Sequence, residues 1–120
     1  MSVERRRARL ERAIADDDDV AIAALTAAEL LVGVELAGPR QREKRRRFVE
    51  DVVETLTVED YTLATAAAHA RLLAAVRASG TRRGAHDLII AATAVASDRA
   101  VLTADGRGFE DLPGVDVRVV

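Results

Sequence analysis

From Leu88 to Ala96 the chain carries no charge, and Thr93 is the one polar side chain in that stretch. The run is too long for an ordinary strand and reads as a helix starting at Asp87. A helix that is apolar all round must be covered on every side, so this segment predicts a centre around which the other elements are arranged. Ala100 to Thr103 follows as a short buried strand, then a turn at Gly106 to Gly108 and an edge strand with alternating polar positions from Val115 to Val119. The same stretch places a carboxylate, Asp87, at the start of the central helix and another, Asp105, just beyond a strand.

Upstream, Val3 to Ala15 has Leu10 and Ile14 one turn apart among arginines and reads as an amphipathic helix with a narrow apolar stripe. Asp16 to Asp19 repel one another and form a solvated turn; chelation by the four is the less favoured reading. Val20 to Leu25 reads as a buried strand, Thr26 to Ala37 as a short, mostly buried helix stopped by Gly38-Pro39, and Arg40 to Leu56 as a second helix. Phe48, Val49, Val52, Val53 and Leu56 recur at helical spacing and are expected to face the core. Thr57 and Val58 form a brief extended link. Asp60 is expected to cap a long helix carrying Leu63, Ala67, Ala70, Leu73 and Val76 and ending near Ser79-Gly80. Strands alternating with helices predict an α/β sandwich with a mostly parallel sheet, a single domain over residues 1–120.

Composition excludes several classes. The aromatics are Phe48, Phe109 and Tyr61, too few for a base-stacking platform. Without cysteine there are no disulfides and no thiolate ligands, so a bound metal would be a hard ion held by oxygen. No apolar run reaches membrane-spanning length, which makes a soluble cytoplasmic protein the expectation. The formal net charge is -2, yet arginines cluster at 5–12 and 40–47; these are read as solvated helix faces, with phosphate contact as the alternative.

In α/β sheets, sites form beyond the carboxyl ends of strands. Glu29 and Asp105 each lie past a predicted strand, and Asp87 opens a helix before one. Each has an ordinary structural explanation. Thr26-x-x-Glu29 matches a capping box, Asp87 complements a helix dipole, and Asp105-Gly106 is a common turn dipeptide. Converging at one sheet end, however, three acids repel unless a divalent cation neutralises them, and Mg2+ or Mn2+ fits oxygen ligands and phosphate chemistry. Thr103 either positions a metal-bound water or is a satisfied strand-end hydroxyl. His86 is a candidate proton donor beside Asp87 or a surface residue; His69 is assigned no role. Gly33, one turn beyond Glu29, leaves room either for a ligand or for helix packing. Arg82 and Arg83 flank the proposed site and are the better candidates for phosphate contact.

Three segments in order, Thr-Ala-Ala-Glu-Leu-Leu-Val-Gly-Val-Glu at 26–35, Gly-Ala-His-Asp-Leu-Ile-Ile-Ala-Ala-Thr-Ala at 84–94, and Val-Leu-Thr-Ala-Asp at 101–105 with Phe109 and Leu112-Pro113-Gly114-Val115 behind it, resemble the PIN-domain ribonucleases, in particular the VapC toxins of toxin-antitoxin pairs. The resemblance spans essentially the whole chain. It implies a PIN-like α/β/α sandwich and a Mg2+- or Mn2+-dependent endoribonuclease acting on structured RNA. It also implies a homodimer and a VapB-type antitoxin whose tail blocks the site. By motif position Glu29, Asp87 and Asp105 would be metal-site acids and Thr103 an accessory group. Family members open with a central strand ending in Asp-Thr or Asp-Ser that supplies a further acid, and the residues from Met1 resemble the segment after it. Either that strand precedes the sequence as written or it has been lost. In both cases residues 1–120 are expected to show unpaired strand edges and impaired cleavage. The alternative is a non-catalytic, degenerate toxin that binds antitoxin; a PIN-like nuclease acting on DNA or in RNA processing is a third reading.

Overall fold

The structure, a computed structural model, describes residues 19–119. The helix expected over Val3 to Ala15 and the residues 16–18 of the acidic turn lie outside them. In chain order the elements are β1 (Ala21–Ala23), α1 (Ala24–Leu36), α2 (Pro39–Thr55), β2 (Thr57–Glu59), α3 (Leu63–Ser79), α4 (Ala85–Ala96), β3 (Val101–Thr103) and β4 (Val117–Val119), with a 3-10 turn at Gly106–Gly108.

α4 is the expected central helix. Ala91 and Ala92 have no exposed surface, and Leu88 and Ala94 are buried with them. Their small side chains let α3 approach closely through Ala68 and Leu72, and Val101, Phe109 and Leu112 close the same core. Thr93 is tolerated in this setting because its hydroxyl donates to the Ile89 carbonyl at 2.7 Å.

The sheet is parallel throughout but divided in two. β1 pairs with β2 in the register Ile22 to Val58, and β3 pairs with β4 in the register Leu102 to Arg118. α1 and α2 form the crossover between the first pair. Residues 104–116 form the second, about the dozen residues that a parallel connection needs. Among the described residues, no strand joins the two pairs.

Several boundaries and faces differ from expectation. The helix after β1 starts at Ala24, with Ala23 as its N-cap and no side-chain cap bond. Thr26 therefore lies inside the first turn, and no capping box forms with Glu29. At α3 the cap is Thr62 instead of Asp60: Thr62 accepts from the Thr65 amide and Thr65 reaches back to the Thr62 amide, while Asp60 contributes only a backbone carbonyl. This places Thr65, Ala68 and Leu72 inward and leaves Leu63, Ala67 and Ala70 exposed. Gly80 ends α3 at φ 71°, the left-handed conformation that glycine adopts without cost.

The expected burial of the first two helices is also incomplete. In α1 only Val34 is buried, and Leu31, Val32 and Leu36 are exposed; in α2 Val49 is buried but Phe48 and Val53 are exposed. The basic face of α2 is occupied structurally. Arg42 donates to the carbonyls of Glu35 and Ala37 and Arg45 to that of Gly33, satisfying acceptors at the end of α1 that have no partner within the helix. No helix among the described residues is long and apolar enough to cross a membrane.

Because Leu72 is almost fully enclosed between α3 and α4, Leu72→Ala should lower stability by about 2–5 kcal/mol. Thr62→Ala should cost about 1 kcal/mol through the lost cap. Thermal unfolding followed by circular dichroism would rank the two, with Leu72→Ala the lower midpoint.

Candidate active site

Three elements bring the candidate acids to one end of the fold. α1 carries Glu29, the first turn of α4 carries His86 and Asp87, and the segment after β3 carries Asp105. His86 Nδ1 lies 3.0 Å from Glu29 Oε1, so the two helices meet at their polar residues. Both side chains are largely exposed, which makes this pair adjustable rather than rigid.

Asp87 faces the other way, toward the 3-10 turn. A Cβ built at Gly108 would overlap its Oδ2, and one at Gly84 would lie 3.5 Å from the same oxygen. Glycine at 108 is thus what allows the turn to sit against the Asp87 carboxylate. The turn's own sequence does not signal this role, because the requirement comes from a residue on another element.

Asp105 caps that turn and is held by its neighbours. Its Oδ1 accepts from the Arg107 amide at 3.1 Å and from Nε at 3.0 Å, and its Oδ2 accepts from Nη2 at 2.8 Å. The Arg107 side chain, with the amide in support, holds the Asp105 carboxyl well below the usual carboxylate range, at about 2. Any stability from this pair is present above the ordinary carboxylate pKa and is lost as pH falls through about 2. Both groups are solvent-exposed, so screening keeps that contribution small.

Thr103 does not reach toward an open site. Its hydroxyl donates to the Asp105 carbonyl at 3.0 Å and accepts from the Asp105 amide at 3.2 Å, fixing the backbone that presents the carboxylate. Arg83 donates to the Glu110 carbonyl at 2.7 Å, whereas Arg82 is exposed. Gly33 has open space where a Cβ would stand, so helix packing does not explain it. Asp19, the one described member of the acidic run, pairs with Arg99 at 3.0 Å.

Glu29, Asp87 and Asp105 therefore share an end of the molecule without meeting around one point. Among the described residues, no group of three or more carboxylates and imidazoles is arranged to hold a metal ion. The donor chemistry nevertheless suits a hard cation, since it is all carboxylate oxygen on adjoining elements.

Parallel strand pairs flanked by helices, with acids gathered where the helices and the segment after β3 adjoin, define an α/β protein of the kind that places a polar site at a sheet end. The PIN domain family model matches residues 2–115, and the chain belongs to that family. Ribonuclease VapC1 of Rickettsia felis is 28% identical over 100 residues, covering 82% of this chain and 75% of that protein. A member of the VapBC family of toxin-antitoxin systems, VapBC-5 from Mycobacterium tuberculosis, superposes with a TM-score of 0.75 at 30% identity, covering 89% of this chain and 91% of that one. The VapBC2 structure from Rickettsia felis, bound to a promoter DNA fragment, superposes with a TM-score of 0.83 at 20% identity, over 93% of this chain and 83% of that one.

The ion pair at the turn gives a direct prediction. A carboxyl-detected NMR titration should place Asp105 at about 2, and Arg107→Ala should return it toward the ordinary value of 3.8. A second concerns Gly108: Gly108→Ala should displace the Asp87 carboxylate, seen as large shifts of the Asp87 and Leu88 amide resonances in a chain that stays folded.

Proposed function

We propose that this protein is the toxin of a VapBC-type pair, an endoribonuclease that hydrolyses RNA phosphodiester bonds with Mg2+ or Mn2+ and is held in check by a VapB-type antitoxin. The observation that carries the proposal is the gathering of Glu29, His86, Asp87 and Asp105 at one end of a PIN-family chain whose relatives include a ribonuclease VapC. Glu29, Asp87 and Asp105 are the residues that would hold the ion. A bound Mg2+ would supply Lewis acidity toward a phosphate oxygen and lower the pKa of water. Thr103 holds the backbone of Asp105, and His86 lies within ion-pair distance of Glu29. Arg82, exposed and four to five residues before His86 and Asp87, is the candidate for contact with an RNA backbone, while Arg83 donates to the Glu110 carbonyl.

The exposed Leu31, Val32 and Leu36 of α1 and Phe48 and Val53 of α2 support a protein partner on that helix pair, and we assign them to the homodimer and antitoxin contacts of a toxin. A second reading has its own observation. Asp105 is engaged by Arg107 on both oxygens, which favours a non-catalytic toxin that binds antitoxin only.

Cleavage of a structured RNA by the purified chain in Mg2+ or Mn2+, with EDTA as the control, separates the two. On the nuclease reading EDTA stops cleavage. Glu29→Gln and Asp87→Asn each lower it by about two orders of magnitude or more without changing the circular dichroism, a loss on the scale of one transition-state stabiliser. No cleavage in either metal, with retained antitoxin binding, supports the second reading.

A further inference from the structure

Gly33 lies inside α1, where glycine weakens a helix relative to alanine. Among the described residues, nothing stands within 4 Å of a Cβ built there, so packing does not require the glycine. A helical glycine under open space suits the close approach of something outside the chain to the helix backbone. Glu29 stands one turn earlier on the same face, about 6 Å along the axis.

The other side of this notch is basic. Arg45 of α2 reaches across to the Gly33 carbonyl with Nη1 at 3.3 Å. That bond orients the guanidinium and leaves most of its donors, on an exposed side chain, for a phosphate. Arg40 and Lys44 are exposed too, and among the described residues neither makes a hydrogen bond or an ion pair. Over residues 39–47 six cations are set against a single acid, Glu43, and Arg46 and Arg47 both pair with it. The cluster occupies the N-terminal half of α2, where the helix dipole is positive and the first turn has no acid. Such an arrangement repels itself, and a bound anion relieves it. Beyond Val49 the charge reverses with Glu50, Asp51 and Glu54, so the basic surface is confined to the half of α2 that reaches Gly33.

We infer that the notch at Gly33, with Lys44 and Arg45 beside it, is a track for backbone phosphates of RNA next to the candidate active site. At about 3.4 Å of rise per phosphate, a strand passes from the level of Glu29 to that of Gly33 in one or two nucleotides. A narrow phosphodiester strand can lie against the bare helix backbone, whereas a flat anionic surface meets the exposed side chains around it first. The inference rests on the proposed function only in taking RNA as the ligand.

Fluorescence anisotropy of a labelled RNA hairpin, titrated with the full 120-residue chain in EDTA over a series of salt concentrations, tests it without cleavage. Lys44→Gln and Arg45→Gln should each weaken binding by about threefold to tenfold and lower the slope of log K against log salt by about 0.7–0.9. Arg71→Gln removes the same charge from an exposed position on α3 and should change neither. Gly33→Gln should raise the thermal midpoint, because glutamine is the better helix former, and yet weaken RNA binding by about tenfold. If that variant does not fold, the comparison of Lys44→Gln with Arg71→Gln decides. No binding by the unaltered chain, equal losses in Lys44→Gln and Arg71→Gln, or full affinity in a folded Gly33→Gln would overturn the inference. So would Lys44-dependent binding to phosphatidylserine vesicles in place of RNA, which would make the patch a membrane contact. A chain that binds RNA along this track but cleaves none in Mg2+ or Mn2+ contradicts the nuclease reading and upholds the track.

Discussion

The fold depends on the burial of α4. Ala91 and Ala92 have no surface left to expose, so the helix is fixed in position against α3 and borders both strand pairs. The candidate site residues on other elements lie around its first turn. His86 meets Glu29 of α1, and Asp87 meets the turn after β3. Apolar contact, worth roughly 25 cal/mol per Å² of buried surface, thus determines where polar groups with little binding energy of their own are held.

Much of this was legible in the sequence. The uncharged run from Leu88 to Ala96 predicted the centre, and Gly38-Pro39 and Ser79-Gly80 predicted two helix ends, because each of those signals is local. The inward faces of α1, α2 and α3 were not legible. Small apolar residues occur all round α1 and α3, so periodicity gives little contrast there, and in α2 the exposed Phe48 stands beside the buried Val49. The cap of α3 went to Thr62 because Thr65 could return the bond, which Asp60 could not arrange from two residues earlier.

For the site, the sequence named Glu29, Asp87 and Asp105 as candidates, and the contacts that hold each of them were not legible in it. The Thr26 and Glu29 spacing suggested a capping box that the earlier helix start removes, leaving Glu29 to His86. Two interactions were invisible beforehand: the overlap that makes Gly108 a glycine, which requires knowing where Asp87 points, and the hold of Arg107 on Asp105. That hold is exposed to solvent, which screens it. The split of the sheet follows a similar logic. Among the described residues, each strand of the two short parallel pairs is bonded along one edge alone.

On the proposed function Glu29, Asp87 and Asp105 would hold the cation, and Arg107 already engages one of them. Calorimetric titration of Mn2+ into the unaltered chain and into Arg107→Ala and Asp87→Asn addresses it directly. Binding should be measurable, tighten when Arg107 is removed and be lost with Asp87→Asn. Binding that is unchanged or weaker in Arg107→Ala, or that persists in Asp87→Asn, would contradict it.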